Sequence, residues 1–401
     1  MLKGKCVVLG VTGSIAAYKI ANLASMLVKL HADVHVIMTQ NATNFINPIT
    51  FETLTSHKCL VDTFDRNFNY NVEHVALAKK ADVVMIAPAS ANVIGKLACG
   101  IADDMLTTTV LACKCKKIIA PAMNTNMYNS PATQEAIRVL AQWENITMLD
   151  AASGELACGT TGKGRMQEID VLAAAVEYAL TPKTLEGKQV LITAGPTQEA
   201  IDPVRYISNA STGKMGYALV RACLNRGAKV TLVSGPTHLS LKPWQAFCPL
   251  QVVDVMSSEE MCQATTAAFP QADIAILCAA VADFTPQETA NKKIKKQPGQ
   301  TAMTIELKTT TDIAAALGQT KQAHQTLVGF ALETHDEQAN ALRKLQSKNL
   351  DMIVLNSLQD QGAGFGVDTN KVTLLYADGT KKDLPLLLKQ EVADEIVDQI
   401  I

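Results

Sequence analysis

Short aliphatic runs alternate with stretches of helical periodicity along the first half of the chain. The run CVVLG is followed by SIAAYKIANLASMLVKL, in which Ala16, Ile20, Leu23, Leu27 and Leu30 recur at helical spacing. The later runs DVHVIM, ADVVMIAP and KKIIAPAM each lead into polar, proline or glycine residues. Nearly continuous apolar strands separated by helices are typical of a parallel sheet covered on both faces, so the pattern predicts a doubly wound α/β fold.

The same alternation begins again near residue 181. TPKTLEGK is a polar stretch with Pro and Gly, and KQVLITAGPT then repeats the arrangement of GKCVVLGVTG. We therefore predict two Rossmann-like α/β domains with parallel central sheets, residues 1–180 and 188–401, joined by a linker at 181–187. In such sheets ligands bind beyond the carboxyl ends of the strands, so the loops there are the candidate sites.

Composition narrows the class of protein. The chain has 401 residues, is 48% hydrophobic and carries a net charge of −2, which argues against a general nucleic-acid binder. It contains no run approaching the roughly 18 apolar residues of a membrane span, and its first residues enter a strand rather than a signal peptide. We expect a cytoplasmic protein with no nucleic-acid or membrane partner.

The ten cysteines are scattered along the chain. Cys6 and Cys278 lie within apolar strand patterns, where a thiol behaves as a small hydrophobe in a reducing compartment. Cys113 and Cys115 form the one close pair, and a single CxC without a second pair of ligands is a poor zinc site. We therefore expect no structural zinc.

Neither glycine turn carries a dinucleotide fingerprint. The first domain reads GVTGS and the second AGPT, and no carboxylate follows the second strand of either domain, so NAD is disfavoured in both. The first domain instead offers small polar residues at successive strand ends. These are Gly13, Ser14, Thr39, Ser90, Asn92 and Thr107. They suit a mononucleotide phosphate held by amides and hydroxyls, although each residue alone is also explained as a helix cap.

The motifs GVTGSIAAYK, NVEHVALAKKAD, APASAN and PAMNTNMY resemble the homo-oligomeric flavin-containing cysteine decarboxylases. Tyr128 stands where that family often has Trp. The resemblance implies a flavodoxin-like domain that binds FMN through the polar residues above and Met123. It also implies that His74 acts as a base or orients the substrate, that Asn124 places the substrate carboxylate, and that Cys158 serves the reductive half of the reaction.

Cys158 lies in the glycine-rich stretch SGELACGTTGKGRM, residues 153–166. Its lysine does not form a phosphate loop, because Ala157 stands where the Walker pattern requires glycine. We predict a flap whose glycines let it close over substrate and flavin, which excludes water and delivers the thiol.

The second half carries an independent resemblance. ITAGPTQEAIDPVRYISNASTGKMG, AAVADF, KIKK and GFALET are similar to phosphopantothenate–cysteine ligases. The order of decarboxylase and then ligase resembles the bacterial bifunctional family of coenzyme A biosynthesis over nearly the whole chain.

Two segments of the second domain bear on nucleotide binding. Ser211, Thr212, Gly213 and Lys214 stand just before an amphipathic helix and suit a triphosphate, but they are not a Walker A loop because Ser208 replaces its first glycine. The run NKKIKKQPG would on composition alone be a solvated charge run. The resemblance implies that Lys293 within it contacts the nucleotide and assists activation.

The resemblance also implies the remaining site residues. Those expected to contact the nucleotide are Ala279, Ala280, Asp283, Thr311, Asp312, Ile313, Ala314, Phe330, Lys344 and Lys348, with Asp283 also the candidate Mg²⁺ ligand. Thr311 replaces a common proline. Asn209 is expected to assist turnover of the acyl-cytidylate, whereas from sequence alone Asn209 and Asp283 are equally explained as cap or turn residues.

The implied reaction joins 4′-phosphopantothenate to cysteine with CTP and Mg²⁺, and then decarboxylates the product with FMN to give 4′-phosphopantetheine. Decarboxylase trimers and ligase dimers on one chain imply a closed homo-oligomer, a dodecamer. A flavin prenyltransferase is one alternative, but it leaves Cys158 and the second half unexplained. A non-catalytic flavin-binding regulator is the other, and the retained His74, Asn124, Cys158 and Lys293 argue against it.

Overall fold

The computed structural model describes residues 2–64, 73–155, 159, 161–333, 335–357, 364 and 366–401. The chain divides into two compact units. The first comprises Met1–Pro182 and Lys242–Phe247, and the second comprises Lys183–Leu241 and Cys248–Ile401. The division thus falls inside the expected linker, while a short piece of the expected second domain groups with the first unit.

The described strands and helices follow one another along both units. The strands are β1 (Cys6–Val11), β2 (Asp33–Met38), β3 (Val83–Ala89), β4 (Lys116–Pro121), β5 (Ile146–Met148), β6 (Ala152–Glu155), β7 (Thr161–Arg165), β8 (Gln189–Ala194), β9 (Gln198–Ala200), β10 (Tyr206–Ser208), β11 (Lys229–Ser234), β12 (Leu250–Asp254), β13 (Ile274–Leu277), β14 (Phe284–Pro286), β15 (Leu307–Thr309), β16 (Thr326–Glu333), β17 (Met352–Ser357), β18 (Thr369–Asn370), β19 (Val372–Tyr376), β20 (Lys381–Asp383) and β21 (Leu387–Leu388). The helices are α1 (Ile20–Lys29), α2 (Pro48–Thr55), α3 (Glu73–Lys80), α4 (Ala91–Ala98), α5 (Met105–Ala112), α6 (Thr125–Asn129), α7 (Pro131–Ala141), α8 (Ile169–Leu180), α9 (Lys214–Asn225), α10 (Lys242–Gln245), α11 (Ser258–Ala268), α12 (Ile313–Thr320), α13 (Glu337–Ser347) and α14 (Lys389–Asp398).

The first unit is built on a five-stranded sheet of order β2-β1-β3-β4-β5 in which every neighbouring pair is parallel. All six residues of β1 are buried, because the sheet is covered on both faces. Val7, Leu9 and Val11 pack into one core, and Val8 packs into the core on the opposite face, as the two-residue repeat of a strand requires. The chain changes direction across the sheet between β1 and β3, which makes their carboxyl ends the switch point where ligands bind in such folds.

The second unit is built on an eight-stranded sheet of order β12-β11-β8-β13-β16-β17-β19-β20. The six strands from β12 to β17 are parallel and, numbered within the unit, run 3-2-1-4-5-6, which is the Rossmann order. The predicted pair of Rossmann-like folds is therefore confirmed. The prediction of parallel sheets does not extend to β19 and β20, which add an antiparallel edge, because a short apolar run does not show the direction of its strand.

Among the described residues, four antiparallel pairs lie outside the two sheets, and one of them, β6 with β7, carries part of the stretch predicted to be a flap. Among the helices described above, none is both long and apolar enough to cross a membrane.

Candidate active sites

A cavity of about 630 Å³ opens in the first unit beside the ends of β1 and β4. It is lined by Ser14, Ile15, Ala16, Tyr18, Lys19, Ala122, Met123, Asn124, Glu155, Gly164, Arg165 and Met166. Among these residues, Ser14, Met123 and Asn124 were predicted from the sequence to belong to the site. The β6–β7 pair supplies Glu155, Gly164 and Arg165, so this pair forms one wall of the cavity.

The loop after β1 packs closely on the loop after β2. A β-carbon at Gly13 would stand 2.7 Å from the β-carbon of Asn41, so this approach requires glycine. Ser14 then caps the short 3-10 turn Ile15–Lys19, where its hydroxyl oxygen accepts a weak hydrogen bond of 3.4 Å from the Ala16 amide. The contact brings the end of β1 beside the end of β2.

Thr39 directly follows β2, and its buried side-chain hydroxyl makes no hydrogen bond to any described residue. Its backbone amide donates to the Val11 carbonyl at 3.0 Å, but its buried hydroxyl oxygen has no hydrogen-bond partner among the described residues. Buried hydroxyls are nearly always paired, and each exception calls for an explanation. A polar ligand at the carboxyl ends of β1 and β2 supplies one, so this residue fits the expected mononucleotide site.

Ser90 and Thr107 use their side chains as helix caps. The Ser90 hydroxyl oxygen accepts from the Val93 amide at 3.4 Å at the start of α4, and Thr107 shares a reciprocal capping box with Asp104 at the start of α5. Asn92 is exposed on α4, and His74 is half-buried in the first turn of α3. The 630 Å³ cavity is not lined by Gly13, Thr39, Ser90, Asn92, Thr107 or His74, so the roles of these residues toward a flavin stay predictions.

The end of the predicted flap that contains β7 is held against the loop after β4. The Met123 amide donates to the Gly164 carbonyl at 2.9 Å, and a β-carbon at Gly164 would stand 2.4 Å from the Met123 carbonyl oxygen. This glycine is therefore required by close packing, whereas the sequence analysis had interpreted the glycines as hinges. Cys158 lies outside the described residues, so its placement stays a prediction.

Two adjoining cavities occupy the carboxyl edge of the second sheet. They measure about 430 and 410 Å³ and share a wall made of Ala279, Val281, Asp283 and Phe330. The 430 Å³ cavity also includes the predicted residues Thr311, Asp312, Ile313, Ala314, Lys344 and Lys348. The 410 Å³ cavity also includes the predicted residues Asn209, Ser211, Thr212, Gly213, Lys214 and Ala280. The structure thus brings almost the whole predicted ligase site together.

Both lysines of the 430 Å³ cavity are paired with acids. Lys348 Nζ lies 2.9 Å from Asp312 Oδ2, and Lys344 Nζ lies 2.7 Å from Glu333 Oε1. Burial tends to raise the pKa of Asp312, but the hydrogen bond from the Ala315 amide and the Lys348 ammonium together bring that pKa below its usual value. The carboxylate is ionised at neutral pH, so Lys348 and Asp312 form an ion pair in the lining of the cavity.

The 410 Å³ cavity lies at the start of α9. The Ser211 hydroxyl oxygen accepts from the Gly213 amide at 3.3 Å, and Lys214 Nζ lies 2.7 Å from Asp368 Oδ1. The Asn209 amide nitrogen donates to the carbonyl oxygens of Ala280 and Val281 at 3.0 and 3.1 Å. In this state the Asn209 amide therefore holds the loop after β13 in place, rather than facing open space as an oxyanion donor.

The residues of the 410 Å³ cavity that were not predicted from the sequence include Lys389 and Asn356. Lys389 is buried at the start of α14, and its ammonium donates to the carbonyl oxygens of Gly364 and Val367 at 3.0 and 2.6 Å. Burial, and then the charge of Lys214, lower the Lys389 pKa. The buried Oδ1 of Asn356 has no partner among the described residues. In the sequence, Lys389 could have been found as a lone lysine after LPLLL, and Asn356 as the polar residue that ends the run MIVLN.

Lys293 is exposed and lines neither of the two cavities. Its neighbour Ile294 is tethered, because the Ile294 amide donates to Asp202 Oδ2 at 3.0 Å and Arg205 donates to the Ile294 carbonyl at 2.7 Å. The Asp202–Arg205 ion pair thus anchors the lysine-rich segment beside an exposed Lys293. Sequence reasoning did not identify this pair.

Asp283 lies on the shared wall with its side chain exposed. It is a single carboxylate, whereas the one described cluster of three possible metal ligands lies elsewhere. Mg²⁺ commonly uses one or two carboxylates together with substrate phosphates and water, so Asp283 fits a magnesium ion that arrives with a nucleotide.

Comparisons with known proteins cover both halves. Residues 1–180 match the Flavoprotein family, and residues 185–401 match the DNA/pantothenate metabolism flavoprotein C-terminal domain. The chain is 47% identical over 403 residues to the coenzyme A biosynthesis bifunctional protein CoaBC of Bacillus subtilis, covering 100% of this chain and 97% of that one. It is 40% identical over 402 residues to the Escherichia coli protein of the same name, covering 100% and 97%.

A third relative carries a different name. The chain is 48% identical over 361 residues to a cysteine/cysteine sulfinic acid decarboxylase from an unknown prokaryotic organism, covering 89% of this chain and 99% of that one.

Proposed function

The chain belongs to the family of bifunctional enzymes of coenzyme A biosynthesis, which unite a phosphopantothenoylcysteine decarboxylase and a phosphopantothenate–cysteine ligase, and on that premise we propose how its halves divide the work. Residues 188–401 form the CTP-dependent ligase, and residues 1–180 form the FMN-dependent decarboxylase that acts on its product. The observation that carries the proposal is the pair of adjoining cavities with Asp283 on their shared wall.

In the ligase half, the nucleotide lies along Phe330, Lys344 and Lys348, and its phosphates extend toward the start of α9. The carboxylate oxygen of 4′-phosphopantothenate attacks the α-phosphorus of CTP, and the bond to the leaving pyrophosphate breaks. The amine of cysteine then attacks the acyl carbon, loses a proton and displaces CMP. Positive charges and amides preorganised around such a centre stabilise the charge that develops there.

Besides Lys344 and Lys348, three further lysines supply positive charge in this half. Lys214 and Lys389 lie in the 410 Å³ cavity, and the tethered segment presents Lys293. Asp283 would hold Mg²⁺ together with the phosphates, and the ion would balance the charge of the leaving pyrophosphate. Asn209 acts by positioning the loop that carries Ala280, and its replacement is expected to slow turnover of the acyl-cytidylate.

In the decarboxylase half, the unpaired Thr39 hydroxyl and the loop at Ser14 fit the polar end of FMN. FMN, when bound, supplies the two-electron acceptor that oxidises the carbon–sulfur unit and so permits loss of CO₂. Asn124 orients the substrate carboxylate, and His74 orients the substrate or accepts its proton. The β6–β7 wall excludes water, and Cys158 acts after CO₂ has left.

The test supplies purified protein with 4′-phosphopantothenate, cysteine and either CTP or ATP, and measures pyrophosphate and CO₂ separately. We expect both products with CTP, and CO₂ only when the acid is present. Pyrophosphate without CO₂ would leave a ligase and remove the bifunctional claim. CO₂ from cysteine alone would instead favour the activity named for the third relative.

Cys158→Ser isolates the reductive half. We expect CO₂ release to continue while the product stops at an oxidised thiol-containing species, detectable by mass spectrometry. Cys99→Ser is the matched control, because Cys99 is an exposed cysteine in the same unit. Normal 4′-phosphopantetheine from the Cys158→Ser protein would show that this thiol has another role.

The assembly is part of the proposal. Trimeric decarboxylase and dimeric ligase contacts on one chain close into a dodecamer. Light scattering on the purified protein measures this directly, and a monomeric mass would contradict it.

A further inference from the structure

A cluster of residues of metal-ligand type lies at the amino ends of β1 and β2 in the first sheet. The flavin is predicted to bind at the opposite, carboxyl ends of the strands. Cys6 begins β1 and Asp33 begins β2, and the two residues are direct partners in the parallel register. His35 follows Asp33 by two residues, so both side chains project from the same face of β2. The amino ends of the strands therefore bring together a thiol, a carboxylate and an imidazole.

The donor atoms are spaced for one ion. The Cys6 sulfur, an Asp33 carboxylate oxygen and a His35 ring nitrogen all lie within 4.8 Å of one another. His35 Nε2 lies 3.3 Å from Asp33 Oδ2. Zinc bonds of about 2.0–2.1 Å at tetrahedral angles separate two N or O ligands by roughly 3.3 Å. Within the described ranges this is the one group of three such residues that meets the distance requirement.

The imidazole has the protonation state of a metal ligand, whereas the thiol does not. Burial lowers the pKa of His35, so its ring is neutral at pH 7, which is the ligand form. Burial, reinforced by the Asp33 charge, raises the pKa of the Cys6 thiol to about 12, so an entering metal has to release the thiol proton.

Lys80 already places a positive charge between two of the donors. Its ammonium lies 2.7 Å from Asp33 Oδ2 and 3.1 Å from His35 Nε2. The Lys80 side chain is 52% exposed, so it can swing into solvent without losing a packed position. A divalent ion with the Asp33 carboxylate and the Cys6 thiolate is neutral, as is the present set of ammonium, carboxylate and thiol.

We propose that Cys6, Asp33 and His35 form a binding site for a divalent transition metal of the zinc class, with water as the fourth ligand and the Lys80 ammonium as an internal competitor. Binding forms the metal–sulfur bond, breaks the S–H bond of Cys6 and releases that proton to solvent, while Lys80 leaves the cluster. The ion ties the start of β1 to the start of β2. Structural zinc was not expected from the sequence, because these ligands come from two strands and form no close motif.

The competing account is an ion network complete without metal. His57 Nε2 lies 2.7 Å from Asp33 Oδ1, and its ring stacks on His35 with centroids 4.1 Å apart. Asp82 accepts from the Cys6 amide at 2.7 Å. In that account Lys80 is a permanent partner of Asp33, and its removal would weaken the cluster rather than vacate a site.

Co²⁺ titration of the full-length protein, stripped of metal under reducing conditions, separates the two accounts. We expect one equivalent to bind with the near-ultraviolet charge-transfer band of a cobalt–thiolate bond, and Zn²⁺ to displace it. Cys6→Ser should lose the band, and Cys99→Ser, at an exposed thiol, should keep it. Lys80→Met should bind Co²⁺ roughly 2- to 5-fold more tightly, as expected from losing a partly exposed ion pair.

Lys80→Met is a surface change and keeps the test decisive if Cys6→Ser does not fold. Weaker binding in Lys80→Met would overturn the proposal, as would a cobalt–thiolate band that persists in Cys6→Ser or the absence of any such band in the unmodified protein.

Discussion

Gly164 and Met123 are locked together by a backbone hydrogen bond and by contact too close for any side chain. The Met123 amide donates to the Gly164 carbonyl at 2.9 Å, and the space for a β-carbon is filled by the Met123 carbonyl oxygen, 2.4 Å away. The glycine φ of +146° adds a second reason against an L-side chain. This contact fixes the position of the β6–β7 pair relative to the loop that carries Asn124.

Gly164→Ala is therefore expected to push the β6–β7 wall away from Met123. Such overpacking costs about 1–3 kcal/mol of unfolding free energy, and the displaced wall should lower both flavin content and CO₂ release while pyrophosphate release stays normal. Gly95→Ala is the control, because a β-carbon there meets nothing within 4 Å inside α4 and should be neutral or slightly stabilising. Equal thermal stability of the two variants would refute the argument.

Thr39→Val tests whether the unpaired hydroxyl waits for a ligand. Removing a buried unpaired hydroxyl should leave the flavin-free protein as stable or more stable, and should weaken FMN binding about 5-fold, the equivalent of a hydrogen bond worth about 1 kcal/mol. Fluorescence titration with FMN measures the second effect.

Thr109→Val is the matched control for this measurement. The Thr109 hydroxyl is also buried but donates to the Met105 carbonyl at 2.7 Å within α5, so its loss should not change FMN affinity. Identical FMN affinity in the original protein and Thr39→Val would show that this hydroxyl does not contact the cofactor.

Lys348→Met should raise the KM for CTP about 10-fold or more, since a charge-assisted hydrogen bond contributes about 1.5–3 kcal/mol. Lys321→Met is the control, because Lys321 makes a similar pair with Asp351 at 2.9 Å but does not line the 430 Å³ cavity. A CTP effect of the same size in both variants would point to a change in the fold instead.

Lys389 is expected to take up a proton when substrate binds. Burial, and then the nearby Lys214 charge, hold the Lys389 pKa below its ordinary value of 10.5. The unfolded chain therefore binds this proton more tightly than the folded protein. As a consequence, the contribution of Lys389 to folding stability rises as pH increases from the folded-state pKa to the unfolded-state pKa. An anion in the 410 Å³ cavity should raise the pKa and draw a proton in from solvent at alkaline pH.

Calorimetry of 4′-phosphopantothenate binding in buffers of different ionisation enthalpy measures that uptake. Lys389→Met should abolish the proton uptake. Lys382→Met is the control and should leave the uptake unchanged, because Lys382 lies on the edge strand β20 and pairs with Glu395. Uptake that persists in Lys389→Met would assign the proton to another group.

Sequence periodicity was sufficient for the parallel strands of the two sheets, because strands buried on both faces leave long apolar runs and helices between them leave a clear repeat, but it did not show the antiparallel edge of the second sheet. Most of the ligase residues that line the two cavities were predicted from a family resemblance rather than from periodicity. Neither source pointed to Asn356, in the last parallel strand, or to Lys389, beyond it, and Gly164 was interpreted as part of a moving flap although its need for glycine arises from a neighbour 41 residues away. Nothing in the sequence indicated Lys80 beside Asp33, since a contact between separate elements has no spacing rule.

The wall shared by the two cavities of the second unit bears on the reactive intermediate of the proposed ligase reaction. Such a mixed anhydride would place its nucleotide end in the 430 Å³ cavity and its acyl end in the 410 Å³ cavity, with Asp283 of the shared wall between them. Contacts on both sides of the wall would then slow its escape, so that its loss to water would depend on how soon cysteine arrives.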